Sequence, residues 1–184
     1  MLYLEYISYG ISSVDILIYN ARFPFGNKIW FKNIHDISEV ELMNILQVDL
    51  IGSFRITKEI LKLMMKKRSG VIINITSTPA IFGHNCGCPY SIAEAGLISL
   101  TKHIASEYGQ YNIRLYSDAL GDVYTDTMRR STSRNELVKA KNENRMKRLG
   151  QPEEVGKSIV PLKGENFSFS TGNIIIIDVG KVIN

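Results

Sequence analysis

The sequence predicts an α/β protein built on a parallel sheet with helices on both faces. Three observations predict it. Short, nearly continuous apolar runs recur at 14–18, 71–75, 113–117 and around 174–177. Amphipathic stretches with helical spacing separate them, over 38–68, 90–108 and from Pro152 onward. The runs are apolar on consecutive residues rather than alternating, which suits strands buried on both faces, as parallel strands are.

The elements follow in order. Residues 1–13 form a partly apolar lead-in of unassigned type. Val14-Asp15-Ile16-Leu17-Ile18 reads as a short buried strand. The stretch 23–36 reads as loop, punctuated by Pro24 and Gly26. Ser38-Glu39-Val40-Glu41 is a capping box, with Ile37 and Leu42 placed for a hydrophobic staple. Leu42, Ile45, Leu46, Leu50 and Phe54 then keep helical spacing, in a pattern that runs to Met65 and closes at Lys66-Lys67-Arg68 and Gly70. A strand at 71–75, a loop at 76–89 and a helix at 90–108 follow, the helix opened by Pro89, closed by Gly109, and buried along Leu97, Leu100, Ile104 and Tyr108. A strand at 113–117 comes next. Pro152 marks a helix start and Pro161 its end or kink.

Composition narrows the class. A chain of 184 residues, 45% hydrophobic and 22% charged, suits a single globular domain over 1–184. No apolar run is long enough to span a bilayer, and the first residues lack a basic signal-peptide region, so the expectation is a cytoplasmic protein with no membrane partner. Cys86 and Cys88 are too close in sequence for an ordinary disulfide and fit a reducing compartment. With His84 they make three close ligand types in one loop, short of the four of a structural zinc site, and no metal is expected. Net charge is +4, yet residues 129–148 alone hold eight Lys/Arg against two Glu. That segment reads as a solvated helix face or mobile loop, or else as a basic lid over an acidic ligand. It lacks interleaved aromatics, so nucleic acid is not an expected partner.

The stretch from Val71 to Thr127 resembles the catalytic half of the short-chain dehydrogenase/reductase family. Ser77 and Tyr90 stand at the family's Ser and Tyr spacing; the lysine four residues after the tyrosine is Glu94 here, and the asparagine of the preceding long helix is Asp49. Tyr19-Asn20-Ala21-Arg22 resembles the family's Asn-Asn-Ala-Gly at two of four positions, and Gly121 and Thr125 its Pro-Gly-x-x-x-Thr loop, with Leu120 for the proline. Arg148-Leu149-Gly150-Gln151-Pro152-Glu153-Glu154-Val155 and the closing Asp178-Val179-Gly180 extend the likeness to the end of the chain. The resemblance implies a Rossmann-like doubly wound sheet, NAD or NADP as cofactor, and a small-molecule carbonyl or alcohol as substrate, as in a 3-oxoacyl-carrier-protein reductase. It also implies Ser77, Tyr90, Glu94 and Asp49 as catalytic positions, Asn20, Ala21, Gly121 and Thr125 as cofactor-binding positions, and a homo-oligomer through the two long helices. Only 13 residues precede Val14, too few for a βαβ unit of roughly 30 residues. The expectation is a member that begins after the family's third strand, without the Gly-rich turn for the pyrophosphate.

Glu94 and Asp49 replace a cation and an amide with two acids. Charges about 5 Å apart at an effective dielectric near 20 interact by about 3 kcal/mol. Tyr90 is therefore expected to stay neutral and to stabilise an alkoxide poorly. Lys102 cannot stand in, lying about 18 Å further along the helix axis. Two functions remain: an oxidoreductase with impaired or no activity, or a non-catalytic scaffold or interaction subunit of the same fold.

Overall fold

The structure, a computed structural model, describes residues 12–24 and 27–183. The lead-in over 1–13 lies almost wholly outside the described residues. Four strands, β1 (Ile16–Tyr19), β2 (Gly70–Ser77), β3 (Ile113–Leu120) and β4 (Asn173–Ile177), form one sheet in that order, every neighbour pair parallel. The eight α-helices described are α1 (Asn27–Trp30), α2 (Glu39–Asp49), α3 (Ile51–Lys67), α4 (Pro79–Phe82), α5 (Cys88–Tyr108), α6 (Asp126–Ser131), α7 (Arg134–Glu143) and α8 (Pro152–Ile159).

The apolar run of β2 feeds two cores because successive side chains point to opposite faces. Ile72 packs with Ile60, Leu61 and Met64 of α3, Ile104 and Ala105 of α5, and Ile113 and Leu115 of β3. Val71, Ile73 and Ile75 pack on the other face with Tyr116, Leu162 and the half-buried Ile159 and Phe167. Helical cover on both faces is the layered arrangement that the pattern of runs predicts. Asn74, alone in this run as an amide, is bonded at both ends of its amide group. Ser53 Oγ donates to its Oδ1 at 3.1 Å, and its Nδ2 donates to Thr101 Oγ1 at 2.9 Å, tying α3, β2 and α5 together.

Several boundaries differ from the sequence reading, for reasons of packing. The first strand is Ile16–Tyr19 rather than 14–18. The second and third run on to Ser77 and Leu120 because their registers stay paired, Ser77 against Leu120. The loop at 23–36 contains α1 and a 3₁₀ turn at Ile34–Asp36, and the loop at 76–89 contains α4. The long helix over 38–68 is broken at Leu50, whose φ of −105° and ψ of −56° depart from helical values while its backbone bonds to Leu46 and Phe54 persist. The Leu50 side chain lies against Gly96 of α5: a Cβ there would stand 2.7 Å from Leu50 Cδ2. The helix then ends on Arg68 in the left-handed region, and Gly70 opens β2. By contrast α5 ends at Tyr108 with Gly109 as its C-cap, as expected, and a 3₁₀ turn at Gly109–Tyr111 then leads to Asn112 in the left-handed region, at φ 58°. The Ser38 capping box forms as expected, Glu41 N donating to Ser38 Oγ at 3.2 Å and Ser38 N to Glu41 Oε2 at 2.9 Å. The basic segment folds into α6 and α7 and the turns around them.

Candidate active site

Parallel strands of one sheet share a C-terminal edge, and ligands of open α/β sheets bind beyond it. Here Ser77 and Leu120 end β2 and β3 side by side, and Gly121 N donates to Ile177 O at the end of β4, at 3.0 Å. Beyond this edge lies a cleft of about 1130 Å³, walled by Arg22, Phe23, Trp30, Phe31, Phe82 and helices α6 and α7. An inner part of about 370 Å³ reaches Ser77, Tyr90, Gly121 and Thr125.

Tyr90 occupies the first turn of α5 and is buried. The Ser77 hydroxyl bonds with the Tyr90 hydroxyl, and Ser77 Oγ also lies 3.3 Å from Leu120 O as a donor. Trp30 flanks the tyrosine ring, centroids 5.6 Å apart, and lies 5.7 Å from the His84 ring. Gly87 sets that wall. It adopts φ 67°, donates its N–H to Trp30 O at 2.8 Å, and a Cβ on it would come 2.4 Å from the indole. No pattern in the sequence marks Trp30 as part of the site.

One turn further along α5, Glu94 is 1% exposed, and so is Asp49 at the end of α2. Each has one oxygen without a hydrogen-bond partner among the described residues, Glu94 Oε2 and Asp49 Oδ2. Asp49 Oδ1 accepts from Phe23 N at 2.5 Å. Arg22, just past β1, serves the other side: Nη1 donates to the Tyr90 hydroxyl, Nη2 lies 3.3 Å from Glu94 Oε1, and the guanidinium stands 4.5 Å above the tyrosine ring.

Burial, more than any neighbour, sets the acidities. It raises Glu94 to about 7; Arg22 pulls it down and Asp49 pushes it further up. Asp49 is raised by burial too, against the Phe23 N–H and Arg22. Burial and then the charge of Glu94 lift Tyr90 to about 12, while Arg22 and Ser77 act in the opposite direction. Tyr90 thus stays protonated and neutral at ordinary pH.

The remaining residues singled out in the sequence divide. Gly121 and Thr125 line the inner cleft, and Thr125 also caps α6, its Oγ1 accepting from Met128 N at 3.1 Å. Gly121 is required by the fold itself, since a Cβ there would come 2.6 Å from Asp178 Cβ. Asn20 and Ala21 are exposed and line neither part of the cleft. His84 and Cys86 lie on the cleft wall, where Cys86 N donates to His84 Nδ1 at 3.2 Å. Among the described residues no group of three or more His, Cys, Asp or Glu is arranged to hold a metal ion. Of the eight basic residues of 129–148, Lys139 alone lines this cleft, so the charge of that segment is carried mostly elsewhere. Lys181, which the sequence reading passed over, reaches the cleft from beyond β4, its Nζ 2.7 Å from Asp122 Oδ2. No helix among the described residues is long and apolar enough to cross a membrane.

A parallel sheet with a serine and a tyrosine meeting beyond its C-terminal edge is the arrangement of the short-chain dehydrogenases and reductases, and this chain belongs to that family. The family model described as enoyl-(acyl carrier protein) reductase matches residues 4–181. An uncharacterized oxidoreductase of Thermotoga maritima is 32% identical over 174 residues, 91% of this chain and 67% of that protein. The 3-oxoacyl-(acyl-carrier-protein) reductase of Aquifex aeolicus is 32% identical over 170 residues, 92% of this chain and 66% of that protein. In fold, the chain is similar to the crystal structure of a 3-oxoacyl-(acyl-carrier protein) reductase from Brucella melitensis, at a TM-score of 0.91 and 24% identity, over 99% of this chain and 68% of that one. The chain spans about two thirds of the length of these curated relatives.

Fitted against a nicotinamide dinucleotide, the site divides in two. The inner cleft, with Ser77, Tyr90 and Thr125 on its walls, suits the reacting end. The position from which a lysine would hold the ribose is a buried carboxyl already paired with Arg22, and it does not suit that role.

Proposed function

We propose that this chain is an NAD(P)-dependent oxidoreductase of the short-chain type, acting slowly on a small-molecule carbonyl or alcohol. The carrying observation is the meeting of the Ser77 and Tyr90 hydroxyls inside a cleft at the strand ends. When bound, the dinucleotide supplies or accepts the hydride. The protein's part is to hold the carbonyl oxygen with Ser77 and to give it the Tyr90 proton as negative charge develops. A phenol at about 12 remains protonated and donates to an alkoxide, but it is a weak acid for the task. The aromatic outer cleft gives room for an apolar tail, in keeping with the 3-oxoacyl-carrier-protein reductases among the relatives. A homo-oligomer packed through α2–α3 and α5 completes the proposal.

A second reading, a scaffold that binds without turnover, is favoured by one feature: the Tyr90 hydroxyl already accepts from Arg22 and faces a buried acid rather than a lysine. Oxidation of NADPH or NADH with a diketone and with a 3-oxoacyl thioester separates the two. Slow turnover that disappears in Tyr90→Phe supports the oxidoreductase. Absence of turnover at high enzyme concentration supports the scaffold. Calorimetry is expected to find no dissociation constant in the low micromolar range for either coenzyme, because Glu94 offers no cation to the ribose.

A further inference from the structure

We propose that Arg22 is the positioning cation of Tyr90, reaching from beyond the end of β1 to supply the positive charge that α5 does not place beside the tyrosine. The inference rests on the reading of Tyr90 as the proton donor. A guanidinium beside a phenol hydroxyl stabilises the phenolate as the proton leaves, and it fixes the direction of the remaining lone pair.

Three contacts set the geometry. Nη1 donates to the Tyr90 oxygen, the group stands 4.5 Å over the ring centroid, and Nη2 lies 3.3 Å from Glu94 Oε1. One planar fork therefore joins Tyr90, on the cleft wall, to the buried Glu94 one turn along α5, a geometry that a point-like ammonium matches poorly. The cation comes from the segment that follows β1, so its place depends on the fold and not on spacing along a helix. Glu94 is a counter-charge in this arrangement. When it is protonated, the field of Arg22 falls undivided on Tyr90; when it is ionised, part of that field is cancelled.

The consequence is a pair of opposite effects. Loss of Arg22 weakens Tyr90 as an acid, whereas loss of the Glu94 charge strengthens it. The test is the titration of Tyr90 itself, independent of turnover. Protein labelled with 3-fluorotyrosine, whose phenol ionises at lower pH, is titrated by fluorine NMR, with Tyr90 assigned by its absence in Tyr90→Phe. Arg22→Ala is expected to raise the Tyr90 midpoint by a factor of ten or more in proton affinity, Arg22→Lys to restore part of it, and Glu94→Gln to lower it. A merely structural Arg22 moves none of these in opposite directions. An Arg22→Ala midpoint within threefold of the unsubstituted protein overturns the proposal, and so does Glu94→Gln moving it upward. If Arg22→Ala loses its far-ultraviolet dichroism, Arg22→Lys and Glu94→Gln decide between the same outcomes. A Tyr90 response in a protein without turnover would leave this proposal intact and remove only the oxidoreductase reading.

Discussion

Replacing Asp118 with asparagine should flatten the loss of stability that this protein suffers as pH rises. Asp118 lies on β3 between Tyr116 and Leu120, and alternation along the strand puts all three on one face. Tyr116 and Leu120 belong to the apolar cluster with Ile75 and Ile175, and those two isoleucines are also the sheet partners of Asp118. The carboxyl is fully buried, and neither oxygen has a hydrogen-bond partner among the described residues. Burial raises it from an ordinary 3.8 to about 6. At about 1.4 kcal/mol per pH unit, that shift makes ionisation in the fold about 3 kcal/mol more costly than in the unfolded chain.

The sign follows from proton binding. The folded carboxyl holds its proton more tightly than the unfolded one, so its contribution is complete below pH 3.8 and is lost as pH rises through about 6. Total stabilities are only about 5–15 kcal/mol, so the loss should be plain in urea titrations between pH 4 and 8. Glu94 and Asp49 are raised as well and act in the same direction, Glu94 over the window from 4.5 to about 7. They are present in both proteins, and the difference between the two pH dependences isolates Asp118. The amide of Asp118→Asn still buries polar atoms, so the measure is the slope and not the level. The unsubstituted protein should lose about 2–3 kcal/mol more than Asp118→Asn across this range. Parallel curves would refute the reasoning and show that Asp118 meets water or a partner in solution.

Three further outcomes are expected. Glu94→Lys should lower the melting temperature, because it sets an ammonium near the guanidinium of Arg22, a like-charge contact of about 4 kcal/mol at 4 Å and an effective dielectric near 20; Arg22→Gly in the same chain should recover most of the loss, and Glu94→Lys alone should show no robust NADPH-dependent reduction of a diketone. Gly96→Leu should cost about 1–3 kcal/mol by urea titration, since its Cβ would meet the Leu50 side chain at the break between α2 and α3, and an unchanged midpoint would mean that the two helices part freely. Sedimentation velocity should find a homo-oligomer, because Val40, Met43, Phe54 and Ile92 are 45–68% exposed on α2, α3 and α5; a monomer at high micromolar concentration would contradict that interface.

Much of the frame is readable from the sequence because its causes are local or periodic. The Ser38 capping box needs only four residues, and it forms. The run at 71–75 is apolar on both faces, and it becomes a strand covered on both. The misreadings share another origin. Asp118 follows directly on a strand read as 113–117, and an acid after an apolar run looks like a boundary; only pairing with β2 and β4 carries the strand through it. The helix read as continuous breaks at Leu50, the residue whose side chain lies against Gly96 of α5, a contact distant in sequence. Trp30 reaches the site through the backbone of Gly87, and nothing near the tryptophan in sequence signals it.

Arg22 is the case in which both kinds of information are needed. The sequence records two exchanges separately: an arginine where the family places a glycine, and a glutamate where it places a lysine. Taken alone, each reads as damage, the first filling space and the second reversing a charge. In the fold, the two side chains meet at 3.3 Å, with the guanidinium over the Tyr90 ring. The positive charge beside the tyrosine is therefore moved from helix to strand end rather than lost. The exchange is not neutral. The buried carboxyl remains, Tyr90 stands at about 12, and Glu94 at about 7. A cation held by a carboxyl that itself titrates near neutrality makes the field at Tyr90 dependent on pH in a range where a lysine in that position would leave it constant.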